Sequence, residues 1–229
     1  MKAPLRTVCI FTKESSASLA IAKRCVESGI QFGINVELYR STYYKDMTDV
    51  HKRYGLHMKY NPIAGSAADF EAGYMPLSRI ANGTTHYTLY RLAVETDTAF
   101  HILEHDAYFV GKPPDPIYDG VIQTSSHTTN QMTYKKLYAS GRAKRQRHFE
   151  PKCDQSWTVK SGVIPHPLSG TNGTSGYIIG PGAAKRMIEY IEADGIANAD
   201  RIRKEHVGDV FLQVPQSVFC DHGVKSHRL

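Results

Sequence analysis

Glu104 and Asp106 stand two positions apart where the apolar run Phe100-His101-Ile102-Leu103 ends. On a strand, residues i and i+2 point to one side, so both carboxylates can meet one hard divalent cation, Mg²⁺ or Mn²⁺. Water or phosphate would fill the remaining sites of such an ion, and a diphosphate is the natural further ligand. Acids after a strand also cap helices and turns, and the pair by itself allows that reading too.

Ile102 and Leu103 are strand-like and Pro113-Pro114 closes the element, so the carboxylates fall at its C-terminal end. In open α/β sheets that edge binds ligands. The loop Thr12-Lys13-Glu14-Ser15-Ser16 follows the first apolar run, Thr7-Val8-Cys9-Ile10-Phe11, and is expected on the same edge. There Thr12 and Lys13 can meet a nucleotide. The chain has neither Gly-x-Gly-x-x-Gly nor a P-loop, which argues against a dehydrogenase or a P-loop kinase.

The elements that must hold these residues follow from periodicity. Thr7–Phe11 reads as a buried strand, Ser15–Ser28 as a helix ending before Gly29, and Val36–Tyr39 as a second strand. This β-α-β opening predicts a nucleotide-binding α/β fold with a mostly parallel central sheet flanked by helices. Residues 43–74 are polar, tyrosine-rich and weakly periodic, which predicts loop with at most a short helix. Pro76–Thr96 reads as a helix interrupted at Asn82-Gly83. Gly120–Thr124 and Gly176–Gly180 read as strands, and Pro181 opens a helix that runs to Gly195.

At 229 residues the chain can bury a full core, and we expect one domain. Residues 1–110 would form its nucleotide-binding half and 111–229 its acceptor half. No apolar run approaches the ~20 residues that cross a bilayer, and Thr7–Phe11 is too short for a signal-peptide core. A cytoplasmic protein is the expectation. Cys9, Cys25, Cys153 and Cys220 are widely spaced, so neither a zinc knuckle nor a disulfide framework is indicated.

Net charge is +6, and it is concentrated. Lys135, Lys136, Arg142, Lys144, Arg145, Arg147 and Lys152 lie within residues 134–152, opposed only by Glu150. With Tyr134, Tyr138, His148 and Phe149 among them, these cations suit a polyanion, neutralising phosphates while aromatic rings stack on bases. A solvated surface loop is the alternative.

Several segments, in order, resemble glycosyltransferase family 25, the lipooligosaccharide-biosynthesis and collagen-galactosyltransferase group with a GT-A fold. Ile80–His86 resembles that family's Glu-x-Gly-Cys-x-x-Ser-His turn, with Gly83 and His86 standing for its glycine and histidine and Thr84 for its cysteine. Ile102–Ala107 resembles its Leu-Glu-Asp-Asp-Ala signature, His105 replacing the middle aspartate. Gly173–Ala184 resembles its Gly-x-x-x-Tyr-x-Ile-Ser-x-x-Gly-Ala segment, and Asp209-Val210-Phe211-Leu212 its late Asp-x-x-Leu element.

The resemblance implies an inverting transfer from a nucleotide sugar, usually carried by uridine diphosphate, aided by Mn²⁺ or Mg²⁺ at Glu104 and Asp106. It makes Asp209 the candidate base and the late His222 a candidate third ligand, with Asp154 and Asp194 as weaker substitutes for the base. Gly83, His86 and His105 fall on the donor side by the same likeness. Thr174, Ser175 and the basic residues Lys135, Lys136, Arg142, Lys144, Arg145 and Arg147 fall on the acceptor side. The basic segment favours a phosphate-bearing acceptor, DNA with hydroxymethylated pyrimidines as some bacteriophages use, ahead of a lipooligosaccharide core. A different class remains open at this point: a nucleic-acid-binding protein without catalysis, in which the acids are caps.

Overall fold

The computed structural model describes residues 4–64, 69, 72–125, 162–165, 175–199, 209–214 and 217–220, with backbone alone at 162–165, 209, 212 and 214. In chain order the elements are β1 (Leu5–Phe11), α1 (Ser16–Ile30), β2 (Val36–Arg40), α2 (Met47–Tyr54), β3 (Asn61–Ile63), β4 (Tyr74–Pro76), α3 (Leu77–Glu95), β5 (Ala99–Glu104), β6 (Ala107–Phe109), β7 (Gly120–Gln123), β8 (Gly162–Pro165), β9 (Gly176–Ile179), α4 (Pro181–Asp194), β10 (Asp209–Val214) and β11 (Val218–Cys220).

Seven strands form the central sheet in the order β2-β1-β5-β9-β7-β10-β8. The pairings β1·β2, β1·β5 and β7·β10 are parallel, whereas β9 runs against β5 and β7, and β8 against β10. Five of the described strands therefore point one way and two are reversed, the mostly parallel α/β sheet that the opening segments predict. The β-α-β start is as expected. Ser15 caps α1 by accepting a hydrogen bond from the Ser18 amide at 3.1 Å, and the helix runs one residue past Gly29.

α3 differs from expectation, being continuous through Asn82 and Gly83. A Cβ on Gly83 would sit 1.7 Å from the Ala197 carbonyl oxygen, so the glycine is there because a neighbouring backbone crosses at that spot. Tertiary packing of a largely buried helix overrides the ~1 kcal/mol that glycine costs in a helix. Residues 43–74 hold more order than their composition promises: α2 ends at Gly55, whose φ of +65° closes the helix, and β3 pairs with β4 in a small parallel ribbon. Gly195 ends α4 as its position predicts, with φ of +91°.

Cores lie on both faces of the sheet. Phe100, Ile102, Tyr177 and Val121 meet α3 and α4 through Ile80, Tyr87, Tyr90, Met187 and Ile191. On the other side Cys9, Leu103 and Ala107 meet α1 through Ala22 and Cys25. Among the described residues these two layers cover the two faces of the sheet.

Candidate active site at the C-terminal edge of the sheet

β5 ends at Glu104, His105 and Asp106 make the turn, and β6 begins at Ala107. The two acids are therefore not on one strand, and the i, i+2 strand rule does not set their direction. They still share one neighbourhood: both raise the affinity of the Cys9 and Cys220 thiols for their protons, together with burial and, for Cys9 chiefly, the contact with Cys25. Glu104, His105 and Asp106 are all half-buried. Burial disfavours the imidazolium of His105, against the opposing pull of Asp106. No group of three or more His, Cys, Asp or Glu that could hold a metal occurs among the described residues. Two clustered carboxylates fit an Mg²⁺ or Mn²⁺ that keeps waters and takes substrate phosphates, and do not make a closed cage.

The strand register shows what else reaches this edge. Ile10 of β1 lies beside Glu104, so the loop from Thr12 to Ser15 emerges next to the acids. Thr12 is fixed there: its amide donates to Ser18 Oγ at 3.0 Å, and its hydroxyl meets that of Ser41 at 3.3 Å. Lys13 is exposed. The loop after β2 is tied to the same edge through the Ser41 amide on the Phe11 carbonyl at 2.8 Å and the Thr42 amide on Thr85 Oγ1 at 2.9 Å. On the other side the Glu104 amide donates to the Ser175 carbonyl at 3.2 Å. Thr12, Lys13, Glu104, His105, Asp106 and Ser175 are thus brought together.

His86 and Gly83 are placed differently. His86 is fully buried, its Nδ1 2.7 Å from the Tyr177 hydroxyl and its ring stacked on that tyrosine at 5.8 Å, and Tyr177 in turn meets the Tyr90 hydroxyl at 2.7 Å. It anchors α3 to β9. Gly83 is a packing residue in mid-helix, not a turn. The pattern's glycine precedes its histidine by five residues, whereas Gly83 precedes His86 by three, so alignment on His86 gives the glycine place to Ala81.

Asp209 stands far from the acids. It pairs with Gly120 at the start of β7, and the next row runs Val210, Val121, Ile179, Phe100. Glu104 is four residues beyond Phe100, so five rows, ~16 Å at ~3.3 Å per residue, separate Asp209 from it along the strands. The N-terminal edge is the wrong one for a base. Thr174, His222, Asp154, Lys135, Lys136, Arg142, Lys144, Arg145 and Arg147 lie outside the described residues. Asp194 ends α4 and is held by the Lys59 ammonium and the Tyr190 hydroxyl.

Sequence reading passed over Asn82, on the α3 stripe that faces the sheet, and Asp200, which lies outside the described residues. Asp200 follows Ala199, which is buried beside the Ala197 carbonyl that Gly83 accommodates. The signal for Asp200 was an acid bound to an otherwise apolar Ile196-Ala197-Asn198-Ala199 run after a helix stop.

A mixed sheet with acids and an N-terminal loop at its C-terminal edge is consistent with a nucleotide-binding glycosyltransferase fold. The family model for glycosyltransferase family 25, described as LPS biosynthesis protein, matches residues 31–202, about three quarters of the chain. The chain belongs to glycosyltransferase family 25, and its activity is glycosyl transfer. That match includes Asp200 and stops short of Asp209. No curated protein matches the chain. No helix among the described residues is long and apolar enough to cross a membrane.

Proposed function

We propose that this glycosyltransferase moves a sugar from a nucleotide diphosphate sugar, with uridine diphosphate as carrier, to a hydroxyl of a phosphate-bearing glycan, inverting the anomeric carbon. The carrying observation is the half-buried Glu104–Asp106 turn one strand from the Thr12–Ser15 loop. Glu104 and Asp106 would hold Mn²⁺ or Mg²⁺. When bound, such an ion neutralises the departing diphosphate. Lys13 adds a fixed positive charge on the same edge, and the anchored Thr12 loop orients the nucleotide against it.

The acceptor hydroxyl must lose a proton as it attacks, and a carboxylate on the acceptor side takes it. Asp209 is too far along the sheet. Asp200, inside the family match and outside the described residues, is our candidate. The basic residues Lys135, Lys136, Arg142, Lys144, Arg145 and Arg147, with Thr174 and Ser175, are assigned to the acceptor's phosphates and hydroxyls.

The family's description turns the choice of acceptor from DNA to a lipopolysaccharide-type glycan. Nucleoside diphosphate release from uridine diphosphate sugars, followed with Mn²⁺ present, tests this. Stimulation by a lipooligosaccharide core and not by hydroxymethylated DNA is the expected result. The reverse preference would move the acceptor to DNA, and metal-independent DNA binding without release from any donor would replace the enzyme by a non-catalytic binder.

A further inference from the structure

Two polar atoms flanking the end of β5, Asn82 Oδ1 on α3 and His105 Nε2 in the turn, are buried without a hydrogen-bond partner among the described residues. Folded proteins pair nine-tenths or more of such atoms, so the exceptions call for a cause. The position of Asn82 supplies one. Residues 82, 86 and 90 form one stripe of α3 at i, i+4 and i+8. His86 and Tyr90 both meet the Tyr177 hydroxyl, and Tyr177 lies across from Ile102 in the sheet.

α3 delivers the chain to the start of β5, so its first turns lie at the opposite, C-terminal edge. Moving from His86 to Asn82 is a step of ~6 Å toward that edge. From Ile102 to Glu104 is ~6.6 Å in the same direction, and those two side chains share a face. Asn82 is therefore level with Glu104, on the face of the sheet that α3 covers.

An amide oxygen only accepts hydrogen bonds. A diphosphate at neutral pH has no proton to offer it and is itself an acceptor, whereas a sugar ring presents several hydroxyl donors. We propose that Asn82 is a specificity-determining residue that accepts a hydrogen bond from a hydroxyl of the donor's sugar, beside the Glu104–Asp106 turn. His105 Nε2 offers the same ring a second polar partner across the turn. The proposal rests on the transferase reading above, and goes beyond it in naming what reads the sugar.

Binding of uridine diphosphate and of a uridine diphosphate hexose, each with Mn²⁺, is measured by calorimetry on the wild type and on Asn82→Ala. We expect the hexose conjugate to lose about tenfold in affinity and uridine diphosphate to lose nothing, the loss of one neutral hydrogen bond. Equal losses for both ligands, or none for either, would overturn the proposal while leaving the transferase intact. A wild type that binds neither ligand would remove the transferase reading itself and the proposal with it. A panel of monodeoxy hexose donors on the wild type guards against a variant that misfolds. One of them should bind about tenfold more weakly than its parent, and Asn82→Ala should no longer distinguish the two; a panel in which every donor binds like its parent would also overturn the assignment.

Discussion

Cys220 lies directly opposite Ala107 in the β6·β11 ladder, which ties the late part of the chain to the residue that follows Asp106. His222 is two residues further on. Consecutive Cα atoms are 3.8 Å apart, so the tether holds its Cα within ~8 Å of that of Cys220. His222 itself lies outside the described residues, and we propose it as a third ligand from the family resemblance. Replacing His222 by Ala should raise the Mn²⁺ concentration for half-maximal activity by about tenfold or more, with little change in melting temperature. An unchanged metal requirement would exclude His222 as a ligand.

Asp200 and Asp209 make a matched pair for testing the base. Asn at 200 should cut kcat by about a hundredfold or more while leaving nucleotide binding unchanged, and Asn at 209 should leave kcat near that of the wild type. Single-turnover sugar transfer reads both. A large loss at 209 with none at 200 would reverse the assignment and with it the strand register on which it depends.

Gly83 should tolerate no side chain. The Ala197 carbonyl stands 1.7 Å from where a Cβ would be, and backbone cannot yield as a flexible side chain does. Gly83→Ala should cost about 1–3 kcal/mol, a fall of several degrees in melting temperature for a chain of this size. A variant as stable as the wild type would show that α3 and the Ile196–Ala199 segment do not pack this closely.

His101 should give the fold an acid limit. It is fully buried with Nε2 2.9 Å from Thr124 Oγ1, and burial lowers its pKa to about 3. The unfolded chain, whose histidine titrates near 6.5, binds the extra proton first as pH falls. Stability is therefore intact above pH ~6.5 and declines between there and ~3, at up to about 1.4 kcal/mol per pH unit. His51, also lowered by burial, acts in the same sense. Chemical denaturation at pH 7.5 and 5 should show the loss, and His101→Gln should flatten it; equal slopes in the two proteins would assign the acid sensitivity elsewhere.

Much of this was readable from residue order. The first β-α-β unit and the Pro181 start and Gly195 stop of α4 are local signals, each found where it was expected, whereas Glu104 ends β5 and Asp106 falls in the turn beyond it. What local signals could not show is pairing across the chain. Asp209 looked like an acid leading an apolar segment, and only its alignment with Gly120 places it at the far edge of the sheet. Gly83 looked like a break because its neighbour, the Ala197 carbonyl, is over a hundred residues away in sequence. His86 reads in sequence as a ligand contact, and only the fold shows it buried against the Tyr177 hydroxyl, which also meets that of Tyr90.

The most direct measurement is nucleoside diphosphate release from uridine diphosphate sugars by the wild type, Glu104→Gln and Asp106→Ala, each with Mn²⁺ and with EDTA. Release by the wild type that EDTA stops and either substitution reduces at least about a hundredfold, with nucleotide-independent melting temperatures unchanged, is the result that a catalytic C-terminal edge requires. Release that proceeds in EDTA, or that survives both substitutions, would contradict it.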